Sequence, residues 1–175
     1  MKYIIIILLL LPTISFAQKF KSDSSYVRFF SEAPLENIEA VNIKGASIID
    51  LSNGNFAFSI PVNQFRFDKS LMEEHFNENY LETEKFPKTT FTGAFKPSNL
   101  VSGEQTVSAK GEFNLHGQTK PVNIVGTVNK TNEQITIKAV FSIQLVDYKI
   151  KIPKAVFYNI AEEVEVTVYF EYKEL

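Results

Sequence analysis

VSAKGEFNL, residues 107–115, puts Val107, Ala109, Gly111, Phe113 and Leu115 on one side of an extended chain. Ser108, Lys110, Glu112 and Asn114 fall on the other. Period-two alternation of this kind marks a strand with one dry and one wet face. The pattern recurs downstream. Val122, Ile124, Gly126 and Val128 share a face, as do Ile135, Ile137, Ala139, Phe141, Ile143 and Leu145. Val164, Val166, Val168, Phe170 and Tyr172 alternate with Glu163, Glu165, Thr167, Tyr169 and Glu171. Upstream, strands are expected near 25–33, 38–51, 55–67 and 88–96. In the third of these the apolar phase slips, from Phe56, Phe58, Ile60 and Val62 to Phe65 and Phe67. A β-bulge or kink between Ile60 and Phe65 would explain the slip and would tolerate Pro61, which cannot donate to a ladder.

One segment breaks the alternation. Ser70 and Glu73 have capping-box spacing. Leu71, Met72, His75, Phe76 and Tyr80 recur at helical spacing, which predicts one short amphipathic helix over 70–81 with that stripe facing inward. The fold class is therefore all-β: an eight-stranded antiparallel barrel with one short helix, since closure removes the exposed edges that so much strand would present. Gly45, Gly93, Ala109, Gly111, Gly126 and Ala139 fall on the dry faces. Two readings fit them. They leave inward room for a guest, or they pair with Phe rings and the barrel is filled.

The first 17 residues, MKYIIIILLLLPTISFA, read as a signal peptide. Lys2 starts it, Ile4 to Leu11 form a short apolar run, and Ser15-Phe16-Ala17 suits signal peptidase. A stable membrane span needs about 20 apolar residues, so none is expected. Residues 18–175 are then a single domain, periplasmic or secreted. The chain has no Cys, which excludes thiol catalysis and a lipoprotein anchor. A formal net charge of −2 without a basic block argues against nucleic acid as a partner. Monomer and homodimer are both compatible with the pattern. Sixteen Phe and seven Tyr require an apolar interior or an apolar ligand to absorb them.

Few residues offer chemistry. Two His on separate elements make a metal site a weak reading. No Gly-x-Ser-x-Gly elbow is present. Glu73, Glu74, Glu78, Glu82 and Glu84 read as a solvated helix face. Asn129-Lys-Thr matches a glycosylation acceptor by chance. His75 either donates to a ligand head group or packs locally beside Phe76. His116 either ties down the turn before Gly117 or touches a ligand, and turn chemistry accounts for it. The best candidates for ligand binding are Phe29, Phe56, Phe58, Phe91, Phe95, Phe113, Phe141 and Phe170 on the strands, with Met72, His75 and Phe76 on the helix.

Several strings resemble the YceI-like family. Leu71-Met-Glu-Glu-His-Phe-Asn-Glu-Asn-Tyr-Leu-Glu, then Lys85-Phe-Pro-Lys-Thr-Thr-Phe, is similar to its helix and following strand. Gly111-Glu-Phe-Asn-Leu-His-Gly-Gln-Thr-Lys-Pro-Val matches its hairpin, and Asp147-Tyr148-x-Ile150 resembles its late element. Lys149 stands where many relatives have Gly, and Pro153 with Lys154–Ala161 suggests a different late connection. The resemblance implies a lipocalin-like barrel, although the Gly-x-Trp signature of true lipocalins is absent. It implies an interior that binds a polyisoprenoid lipid or isoprenoid quinone, with no catalysis and no other cofactor. The alternatives are a filled barrel serving as a structural or stress-linked interaction protein, or an enzyme using His75 as acid or base.

Overall fold

Alternating residues build a ladder that closes on itself. The computed structural model describes residues 19–32, 37–96, 100–131, 134–152 and 161–175. Its strands are β1 (Lys19–Ser31), β2 (Ile38–Asn42), β3 (Ala46–Asp50), β4 (Asn55–Pro61), β5 (Arg66–Phe67), β6 (Lys88–Phe95), β7 (Gly103–Leu115), β8 (Gln118–Lys130), β9 (Ile135–Gln144) and β10 (Glu163–Glu174). β2 and β3 are two halves of one interrupted strand, as are β4 and β5, so these ten segments trace eight strands. The order β10-β9-β8-β7-β6-β4-β3-β1 is closed by antiparallel pairing of β1 with β10, from Phe20↔Glu174 to Phe30↔Glu165. The barrel is the expected eight-stranded antiparallel one. The leader at 1–17 and the connection at 153–160 lie outside the described residues.

The interruptions have local causes. After Asn42 the chain leaves the ladder because the buried Asn42 side chain takes over backbone bonding. Its Oδ1 accepts the Lys44 N–H at 2.8 Å, and its Nδ2 donates to the Pro61 carbonyl at 2.8 Å. The predicted kink after Ile60 is a 3-10 turn at Val62–Gln64 and not a single-residue bulge. The turn brings Phe65 back inside, 7% exposed. A bulge does occur in β1, at Asp23 between Ser22 and Ser24, where no phase change was read from the sequence.

The helix differs from expectation in three ways. α1 (Ser70–His75) is capped at Lys69 without a side-chain bond, so the capping box does not form. The Glu73 carboxylate instead accepts from Arg66 Nη1 at 2.8 Å and from the Phe67 N–H at 3.3 Å. Leu71 faces solvent at 60% exposure. From Phe76 to Tyr80 the helix widens into a π turn, closed by the Leu81 N–H on the Phe76 carbonyl at 2.9 Å. A five-residue hydrogen bond puts Leu81 on the face of Phe76, where a 3.6-residue period does not place it.

Of the two readings of the dry-face glycines, open room does not hold at Gly45, Gly93, Gly111 and Gly126, and Phe-ring filling holds in part at Gly45 alone, because backbone occupies the space at the other three. Gly93 and Gly111 oppose each other across β6 and β7. A Cβ on Gly93 would stand 2.1 Å from the Lys110 carbonyl oxygen, and one on Gly111 would stand 2.1 Å from that of Thr92. The two backbones are too close for any side chain. At Gly126 the Lys138 carbonyl oxygen fills the position, and at Gly45 the Ile60 and Phe170 side chains do. Between the long strands β8 and β9 the ladder is short, running only from Gly126↔Ala139 to Lys130↔Ile135. Pro121, without an N–H, lies in the part of β8 that has no ladder on that side, where its missing donor costs nothing.

Gly111→Ala is therefore expected to destabilise the fold by about 1–3 kcal/mol, the usual cost of forcing atoms into a packed site. Chemical denaturation measures it, and an unchanged midpoint would mean that the β6–β7 crossing can open at no cost.

Candidate functional site

Side chains on the dry face divide by their height along each strand. At one end β4, β6 and β10 contribute Phe56, Phe91, Phe95, Phe170 and Tyr172, all buried. Their rings pack directly: Phe56 to Phe91 at 4.8 Å and Phe58 to Phe170 at 5.0 Å between centroids. The Tyr172 hydroxyl donates to Ser47 Oγ at 2.8 Å, and burial pushes its phenol well above the ordinary range. This half of the barrel is filled.

The other half is not. A cavity of about 170 Å³ lies under α1 and the π turn. Val27 and Phe29 of β1, Ile60 of β4, Phe113 and Leu115 of β7, Phe141 and Ile143 of β9, and Val164, Val166 and Val168 of β10 form its sides. Phe65, Phe67, Met72, Phe76, Tyr80 and Leu81 cover it, and Leu145, Ile150 and Ile152 complete the rim. Among the described residues no charged side chain is in the lining. Its hydroxyls belong to Ser31, Thr89 and Tyr80. Ser31 Oγ accepts the Ala161 N–H at 2.9 Å and Thr89 Oγ1 donates to the Asn114 carbonyl at 2.5 Å. The walls offer a guest almost nothing but carbon, so what the site can do is bury apolar surface.

Phe29, on the wall, is the ring on which the cover rests. Its ring stacks on Phe76 at 5.4 Å and 14°, and meets Phe65 at 5.4 Å and Phe67 at 5.6 Å. Phe76 touches Phe65 and Phe67 in turn, at 5.7 and 5.0 Å. Four Phe thus tie the helix to β1 and β5 by ring contacts, each worth about 0.5–1.5 kcal/mol beyond area.

Of the residues singled out in the sequence, the structure brings Phe29, Met72, Phe76, Phe113 and Phe141 to the cavity. Phe56, Phe58, Phe91, Phe95 and Phe170 sit in the filled half, because alternation reports which face a residue is on and not its height. His75 is exposed and lies outside the cavity, since α1 presents Met72 inward and turns its next residues outward. Sequence reasoning did not select Phe65, Phe67, Leu81 or the valines of β10 as site residues. The valines were legible as a dry face, whereas Leu81 depends on the π turn.

His116 has a structural place, as turn chemistry suggested. Its φ is 50°, and Gly117 follows at 69° with the Phe86 ring against it. The His116 ring is buried; Nδ1 lies 3.0 Å from the Tyr148 carbonyl oxygen and Nε2 3.1 Å from Glu82 Oε2. The Lys85 ammonium on Glu82 at 2.7 Å, and secondly His116, hold the Glu82 carboxyl below the usual carboxylate range. Lys149 adopts φ 55°, the left-handed conformation that a Gly would take there, so its turn keeps that shape without one. Among the described residues no cluster of three or more His, Cys, Asp or Glu is placed to hold a metal ion. No helix among them is long and apolar enough to cross a membrane.

Comparison with known proteins bears on this geometry. The model of the YceI-like domain matches residues 19–172. Among solved structures, the fold is similar to a polyisoprenoid binding domain from Saccharophagus degradans implicated in plant cell wall breakdown. The TM-score is 0.78 at 16% identity, covering 89% of this chain and 98% of that one. BcnA of Burkholderia cenocepacia gives 0.71 at 17% identity, covering 84% and 95%. A YCEI protein of Campylobacter jejuni gives 0.58 at 11%, covering 73% and 77%. At such identities the likeness establishes the fold. No curated protein matches the sequence.

The division of the barrel predicts unequal costs for two Phe truncations. Phe170→Ala, at 1% exposure in the filled half, should cost about 3–5 kcal/mol. Phe76→Ala, half-buried over an existing cavity, should cost less than half as much. Urea unfolding of both variants decides it; equal losses would mean that the two halves are packed alike.

Proposed function

Because the chain belongs to the YceI-like domain family, we propose that it is a lipid-binding protein that holds the isoprenoid tail of a lipid or quinone in the cavity beneath its helix, without making or breaking a bond. The carrying observation is the lining. Among the described residues the walls are almost wholly hydrocarbon, and the Ser31 and Thr89 hydroxyls among them are engaged with the protein. An isoprenoid chain has no polar handle, so burial is the only grip on it. The solved Saccharophagus degradans domain, described as polyisoprenoid binding, supports the reading by analogy.

Size sets how the tail is held. A cavity near 150 Å³ takes a benzene-sized guest. About 170 Å³ therefore takes one or two five-carbon units. At about 0.8 kcal/mol per carbon group, burying five to ten carbons yields roughly 4–8 kcal/mol before ordering costs. The end of the tail enters, and the remainder with any head group stays outside, between the cover residues Phe67, Met72 and Tyr80 and the rim residue Ile152. Among these described residues Tyr80 carries the hydroxyl, and burial raises its phenol above the ordinary range, which keeps it a hydrogen-bond donor. The leader-like residues 1–17 support a setting outside the cytoplasm, in a periplasm or the medium.

Native mass spectrometry of the protein purified from its own cells tests the proposal. An apolar adduct of isoprenoid mass is expected in the parent chain. It should be lost in Val168→Phe, which fills lumen volume. A folded parent chain that carries no adduct and takes up no added farnesol would contradict it.

A further inference from the structure

Among the described residues, three that are not glycine have a left-handed φ: Glu82 at 43°, His116 at 50° and Lys149 at 55°. They belong to three separate turns, and the three turns meet at one imidazole. His116 Nε2 reaches Glu82 Oε2 at 3.1 Å, and Nδ1 reaches the carbonyl oxygen of Tyr148, the neighbour of Lys149, at 3.0 Å. The residue is 9% exposed, and its ring stands edge-on to Phe86 at 4.5 Å. Strained backbone of this kind persists only where the surroundings over-determine it, and it gathers at clamps and switches.

The two partners have the same polarity. A backbone carbonyl only accepts, and so does an ionised carboxylate. A neutral imidazole has one N–H and can satisfy one of them, turning a lone pair toward the other. Both bonds form only when the ring carries two protons. We propose that His116 is a positioning residue for the cavity: a latch that holds the helix end and the Tyr148 turn together when doubly protonated, and loosens the cavity mouth when the second proton leaves. The inference rests on reading the cavity as the lipid site.

The latch reaches the cavity through the neighbours of each partner. Leu81 precedes Glu82, Leu115 precedes His116, and Ile150 follows Lys149; all three are in the lining. Tyr148 itself meets Phe113 edge-on at 5.6 Å. Other charges face the node. Lys85 binds Glu82 Oε1 at 2.7 Å. Lys120 lies 5.8 Å from the centre of the Tyr148 ring and 2.6 Å from Asp147 Oδ1, and Lys149 adjoins Tyr148 in sequence. Since the Glu82 carboxyl is held below its usual range, it stays ionised across the interval in which imidazoles titrate. The sign follows. The latch is complete while the ring holds both protons, weakens when rising pH removes the second, and is lost again only at pH low enough to protonate Glu82.

Two readouts test it. Release of a fluorescent farnesyl analogue is timed from about pH 5.5 to about pH 8.5, in the parent chain and in Glu82→Gln. The nitrogen resonances of the His116 ring are followed over the same range in protein without guest. One lost hydrogen bond should speed release by about three- to tenfold at the alkaline end. The Gln amide donates to a neutral Nε2 as readily as its oxygen accepts from a protonated one, so Glu82→Gln should flatten the pH step while keeping its thermal midpoint. A purely structural His116 would let Glu82→Gln shift the midpoint and keep the step. That result, a flat parent profile, or a ring with a single N–H throughout would overturn the latch. A parent chain that binds no probe at any pH would overturn the lipid reading beneath it, and is told apart because the ring titration needs no guest.

Discussion

The ladder between β1 and β10 closes the sheet, and the rest of the molecule follows from that closure. With no free edge left at β1 or β10, every strand must keep one row of side chains inside a ring of fixed girth. Dry-face residues from eight strands then compete for one lumen. Large rings from β4, β6 and β10 fill one end. At the other, β10 contributes Val164, Val166 and Val168 where a Phe at each would have filled the space, and the helix spans the opening. The cavity is thus what remains when a ring of strands is packed by Phe at one height and by Val at another.

Closure also explains where glycine is needed. A tightly coiled sheet brings neighbouring backbones close together, and Gly93 and Gly111 mark the crossing of β6 and β7 where a Cβ would meet a carbonyl oxygen. Elsewhere the ladder is broken: at Asn42, at the turn after Pro61, and along the unpaired stretch between β8 and β9. The cover is held by ring contacts around Phe29 and by the His116 node, so the element over the cavity is joined to the barrel by side chains and not by a ladder. Such elements belong to the less stable part of a fold.

Strand existence and face were legible in the sequence because period two is a direct consequence of β geometry. Val107 to Leu115 reads correctly residue by residue. Height along the barrel was not legible, so ten aromatic or helical candidates of like chemistry divided between a filled core and a cavity, and His75 fell outside both. The dry-face glycines stayed ambiguous for a related reason: alternation does not distinguish an absent side chain from a neighbouring backbone. Leu81 required the π turn, which leaves no periodic mark, and the bulge at Asp23 lies among polar residues whose phase cannot be read. The hairpin ending in His116 and Gly117 was correctly assigned to turn chemistry, yet its partners Glu82 and Tyr148 lie 34 and 32 residues away and no local pattern names them.

The central claim is that one end of the barrel holds an apolar tail while the other is closed. Nuclear Overhauser contacts between the methyl groups of bound farnesol and assigned side chains test it most directly. Contacts to Phe29, Phe76 and Val164, with none to Phe95 or Tyr172, are predicted. Contacts running through to Phe95 and Tyr172, or confined to the outer surface, would contradict the account.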